Sequence, residues 1–242
     1  MSIDIKHAIW WGALSAIEQW KKSRHISDEA LVEAARTKNL NGKLIHKFAL
    51  EYQVFRFPLN LHDRRTERLQ AIAEVLEINY SPKINDNDHT AELAQRWFKT
   101  IGDVHATLAR YGAAANLRSF SMKALWLYQP EHATMWDSFA VRGLKSLADT
   151  KHPREIKSET AAAAFLHSFE DIFKRHEALI NSAIKPAEEI TGVRYKYPRR
   201  VLDKALWLLG NKGEEQRDAA FNRLTGLYPE ATAEFLGTPP HA

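Results

Sequence analysis

The residues best suited to chemistry lie between Asn116 and Leu144. Lys123 heads a short apolar run, Ala124 to Tyr128, which Pro130 brings to a stop. Asp137 stands just ahead of Ser138-Phe139-Ala140-Val141, where an N-cap or first-turn carboxylate belongs. The segment reads as helix end, tight turn, helix, Pro-containing loop and new helix. An amine therefore opens one helix and a carboxylate opens the next, and a short hairpin brings two helix starts to one cleft. An amine and a carboxylate brought together are the material of nucleophilic and electrostatic catalysis.

Other chemistries find no support. His176-Glu177 is not followed by the second histidine of a helical zinc site. Asp86-Asn87-Asp88 lacks the central glycine and terminal glutamate of a calcium loop, and an N-cap role suits Asp88 better. The ten glycines are scattered, so no phosphate-cradling loop forms, and there is no Gly-x-Ser-x-Gly elbow. With no cysteine in the chain, disulfides, thiolate metal sites and a cysteine nucleophile are excluded. Neither a metal nor a cofactor is expected.

Lys123-Ala-Leu-Trp-Leu recurs as Lys204-Ala-Leu-Trp-Leu, which makes Lys204 a rival amine. No hairpin turn precedes it. Tyr197-Pro198-Arg199-Arg200 reads instead as a helix start with proline at its head, so Lys204 is expected in an ion pair or on a helix surface. The stretch Arg194-Tyr195-Lys196-Tyr197-Pro198-Arg199-Arg200 interleaves four cations with two tyrosines. It suits either a phosphate track, with Arg199 and Arg200 on DNA, or a loop whose tyrosines cover the edge of the core.

The elements that must position these groups are helices. Thirty-three alanines against seven valines favour helix, because β-branching restricts side-chain freedom there and alanine costs none. From Ser158 to Ile180 the apolar residues fall at three- and four-residue steps, and the same spacing predicts helices near 4–23, 27–38, 42–56, 63–79, 89–111 and 199–210. Pro58, Pro82, Pro130, Pro153, Pro186, Pro198 and Pro229 fall between elements. The least ordered pieces are expected at 81–87, 151–157 and from Gly237 onward. No run alternates as a strand would, so the expected fold class is all-α, with little or no sheet.

Residues Leu117-Arg118-Ser119-Phe120-Ser121-Met122-Lys123 lie in register with the Leu-Pro-Gly-Val-Gly-x-Lys hairpin of the helix-hairpin-helix DNA glycosylases. Over roughly residues 105–150 the chain resembles that superfamily, in particular its 8-oxoguanine glycosylase branch. It is also similar to glycosylase-fold proteins of bacterial anti-phage defence. The resemblance implies one two-lobed helical domain over 1–242 and a double-stranded DNA partner from which a base is flipped. It also implies that Lys123 and Asp137 are catalytic. Breaking an N-glycosidic bond builds positive charge on the deoxyribose, which Asp137 would stabilise. Lys123, its ammonium form disfavoured at a helix N-terminus, would attack C1′ and form a Schiff base that leads on to strand cleavage.

Trp126, Tyr128 and Trp136 would stack on the extruded base. Both hairpin glycines are serine here and the proline is Arg118. Phosphate contact would then fall to Arg118, Ser119, Phe120 and Ser121, through hydroxyls and a cation in place of closely approaching backbone. A catalytically silent helical module that binds DNA or a protein partner is the alternative.

Composition is compatible with either. The chain of 242 residues carries 34 Lys and Arg against 30 Asp and Glu, a net charge of +4 that permits a DNA partner without requiring one. No apolar run reaches the length of a membrane span, and the first residues lack the pattern of a secretory signal. A cytoplasmic monomer is the expectation.

Overall fold

The computed structural model describes residues 3–54, 65–84, 89–111, 117–135, 137–147, 157–211 and 213–237. Among these are eleven helices and no strand, an all-α fold. The chain divides into two compact units, residues 1–21, 135–157 and 164–242 in the first and 22–134 with 158–163 in the second.

The first unit is built on α1 (Ile5–Lys21) and α9 (Pro198–Leu209). Helix α1 is apolar nearly all round, with Ala8, Ile9, Trp10, Ala13, Leu14 and Ile17 all buried, as befits a helix surrounded by others. Helix α9 starts at the proline expected to head it and packs against α1 and α7 (Ser138–Leu147). Glycines make both contacts close. A Cβ on Gly12 would sit 2.5 Å from the Val201 carbonyl oxygen, and one on Gly143 would overlap the Leu206 carbonyl oxygen.

Helix α8 (Glu159–Thr191) lines this core with Phe165, Leu166, Phe169, Ile172 and Phe173. It continues through Pro186, which the sequence places between elements. The proline removes one i→i−4 bond, but it is flanked by buried Ile180, Ala183 and Ile184 before it and Ala187 after it, and this packing holds the helix there. Two further helices that the spacing rule does not pick out, α10 (Glu214–Thr225) and α11 (Pro229–Leu236), rest on α1.

The second unit holds α2 (Asp28–Arg36), α3 (Gly42–Glu51), α4 (Arg65–Tyr80), α5 (His89–Ala109) and α6 (Arg118–Tyr128). Local signals start the first two: the Ser27 side chain accepts from the Ala30 N–H, and Asn41 Oδ1 accepts from the N–H groups of Lys43 and Leu44. Ile45, Phe48, Ile72, Leu76, Trp97, Phe120 and Trp126 form its core. Gly102, by contrast with the packed glycines, faces open space in the middle of α5. Gly102→Ala is therefore expected to raise stability by about 0.5–1 kcal/mol, the ordinary helical preference for alanine, read as a higher urea midpoint at unchanged m-value.

Of the pieces expected to be least ordered, 85–87, 151–156 and 238–242 lie outside the described residues, as does Asp88. No helix among the described residues is long and apolar enough to cross a membrane.

Candidate active site

Helix α6 begins at Arg118, so residues 118–122 are already helical and the hairpin expected ahead of Lys123 is replaced by helix. The reason is local. Without glycine none of these residues is drawn to positive φ, and Lys38 and Gln53 are the non-glycine residues that adopt it among those described. Neighbouring helices then hold the first turns. Trp97 Nε1 donates to the Arg118 carbonyl at 3.0 Å, and the Tyr80 hydroxyl donates to the Ser121 carbonyl at 3.0 Å. At the far end of α6 the Gln129 amide donates to the Tyr80 and Pro82 carbonyls at 2.9 and 3.1 Å.

This changes what the segment presents. Arg118 and Ser119 are half-buried, whereas Phe120 and Ser121 are fully buried, Phe120 packing on Phe48 with ring centroids 5.5 Å apart. Those two residues contact core rather than solvent. Trp126 is also fully buried. Tyr128 is half-buried, its ring tilted against Tyr80 at 6.0 Å, and burial, reinforced by the Glu77 carboxylate, pushes its phenol well above the usual tyrosine range. Trp136 lies outside the described residues.

Lys123 belongs to the second unit and sits in the middle of α6 rather than at its start. It is thus beyond the first turn, where a helix dipole acts on charge. Its side chain is half-buried, with Nζ over the Tyr52 ring at 5.6 Å from the centroid. Tyr52, at the C-cap of α3, donates its hydroxyl to Asp28 Oδ1, and Asp28 is fully buried. Sequence reading passed over both residues. They lie 71 and 95 positions before Lys123, and no local spacing connects them to it.

Asp137 belongs to the first unit and caps α7 as the sequence suggests: its Oδ1 accepts the N–H groups of Phe139 and Ala140, both at 2.8 Å. Its Oδ2 has no hydrogen-bond donor among the described residues. Two positions on, the half-buried Phe139 ring meets Trp207 at 5.5 Å and the Arg142 guanidinium at 4.4 Å, and Trp207 stacks on Trp11 at 5.9 Å. This group of rings was not legible either, because its members come from three separate helices.

The basic stretch at 194–200 divides by burial. Arg199 bonds both carboxylate oxygens of Glu170 and lies over the Phe173 ring at 4.5 Å. Arg200 is buried, paired with Asp203 through one guanidinium nitrogen and with Gln19 through the other at 3.2 Å. Tyr195 and Tyr197 are buried against Trp20, covering the core edge. Arg194, with a side chain 96% exposed, and Lys196 are the cations of the stretch that face solvent. Lys204, the rival amine, is half-buried and donates to Gln19.

Among the described residues no group of three or more His, Asp or Glu side chains is arranged to hold a metal ion. No protein-family model, curated protein or solved structure matches the chain.

Proposed function

We propose that the chain is a DNA N-glycosylase, removing a damaged or modified base extruded from duplex DNA. The observation that carries this reading is the state of Asp137. Two N–H bonds to one oxygen fix its carboxylate at the head of α7, while the other oxygen meets no donor among the described residues. A carboxylate oriented in this way, with one oxygen left over, is what a sugar ring gaining positive charge requires. Of the three rings expected to stack on the base, Trp126 is fully buried, and the half-buried rings of Phe139 and Trp207 take its place in this reading.

Lys123 supplies the amine. Once it has lost a proton, Nζ bonds to C1′ and the glycosidic bond breaks, its electron pair leaving with the base, which takes up a proton. Opening of the sugar ring then yields an iminium between Nζ and C1′. A second reading is a silent module that binds DNA or a protein; the unbroken helix through 118–123, which leaves no hairpin to grip phosphate, favours the protein partner.

Borohydride trapping on duplexes carrying 8-oxoguanine or modified cytosines decides between them. The expected result is a covalent adduct that Lys123→Gln abolishes, with base release lowered about 100-fold or more by Asp137→Asn. Base release without an adduct would assign the attack to water. Neither adduct nor release on these substrates would favour the silent module, and the salt dependence of DNA binding would then separate a DNA partner from a protein one.

A further inference from the structure

Asp28 is a carboxylate with no exposed surface, a costly placement unless something in the fold uses its charge. It is the first residue of α2, where the helix dipole favours a carboxylate, and it follows Ser27, which caps the helix by accepting the Ala30 N–H at 3.3 Å. Its Oδ1 accepts the Tyr52 hydroxyl. The Tyr52 ring is thereby pinned at its polar end, while Phe48 packs on it at 5.0 Å. Phe48 also packs on Phe120, which stands one turn before Lys123 on α6 and so shares its face. The Lys123 ammonium lies over the ring held between these anchors.

We propose that Tyr52 and Asp28 are positioning residues for Lys123, the buried carboxylate anchoring the phenol and the phenol ring holding the lysine head; this rests on the glycosylase reading of Lys123. Lysine is a flexible side chain, and an aromatic face beneath a cation selects among its conformers. A nucleophile must be held in line with its target carbon for the rate advantage of proximity to appear. Neither residue forms or breaks a bond in the reaction. Their effect runs through where Nζ sits.

The test has two arms on the full chain. In the free protein, NMR of the lysine side chains, with Lys123 assigned by its loss in Lys123→Gln, should show its Cε protons displaced upfield by the Tyr52 ring. Tyr52→Leu should abolish the displacement and Asp28→Asn should reduce it. Tyr52→Phe, which keeps the ring and loses the anchor, should fall between Tyr52→Leu and the parent. In borohydride trapping under single-turnover conditions, Tyr52→Leu and Asp28→Asn should slow adduct formation at least about tenfold without weakening DNA binding.

Lys123 resonances that stay unmoved in folded Tyr52→Leu and Tyr52→Phe would overturn the proposal, even if melting temperatures fell. A parent protein that forms no adduct would instead overturn the glycosylase reading, and the NMR arm would still decide whether the pair holds Lys123.

Discussion

Asp203→Ala is expected to destabilise the first unit by about 3–5 kcal/mol, the cost of removing one partner of a buried ion pair. Arg200 and Asp203 lie one turn apart on α9 and both are buried. The guanidinium spans from Asp203 to Gln19 of α1, and Lys204 donates to the same Gln19 oxygen. Removing the carboxylate takes the Asp203 partner from a guanidinium that is itself buried. The pair need not be stabilising in itself, because desolvation consumes much of the attraction between its charges. Replacing both members, Arg200→Met with Asp203→Leu, should therefore recover most of the loss. Urea unfolding followed by tryptophan fluorescence measures both variants. Equal losses in the single and double variants would show that the pair stabilises the unit outright.

Gly143→Ala should cost about 3 kcal/mol, at the upper end of overpacking. The new methyl group would overlap the Leu206 carbonyl, a backbone atom that cannot rotate away as a side-chain end would. The contact is reciprocal, since a Cβ on Gly210 would overlap the Phe139 carbonyl. Helices α7 and α9 therefore approach backbone to backbone at two points, and Arg142 closes the seam by donating Nε to the Gly210 carbonyl at 2.8 Å. The melting temperature should fall by about 6–12 °C, at 2–4 °C per kcal/mol for a chain of this size. Asp137 heads the displaced helix, so on the glycosylase reading proposed above base release should fall as well. Gly143→Ala and the stabilising Gly102→Ala make the same chemical change with opposite outcomes, decided by what lies opposite the Cβ. A stable Gly143→Ala protein would mean that α7 and α9 can separate freely.

Helix class and most helix positions were legible in the sequence, because the three- and four-residue apolar spacing and the Asp137 cap act over a single turn. Where an element depends on its neighbours, that local record fails. The segment from Arg118 is helix, with Trp97 and Tyr80 bound to its carbonyls, and Pro186 is carried inside α8 between buried Ile184 and Ala187. In the same way, a run of basic residues shows charge but not direction. Arg199 and Arg200 turn inward because Glu170 and Asp203 await them, while Arg194 remains in solvent.

The repeated pentapeptide separates the two kinds of information most clearly. Lys123-Ala-Leu-Trp-Leu and Lys204-Ala-Leu-Trp-Leu are both helical, as their shared composition dictates. Yet Trp126 is fully buried, whereas Trp207 is half-buried and stacks on Trp11. Lys123 lies over Tyr52 and, through it, answers to Asp28; Lys204 donates to Gln19. Five identical residues carry the same backbone preference, and that much the chain determines by itself. What each side chain meets is decided by helices distant in sequence, since burial and partner choice are properties of packing rather than of local order.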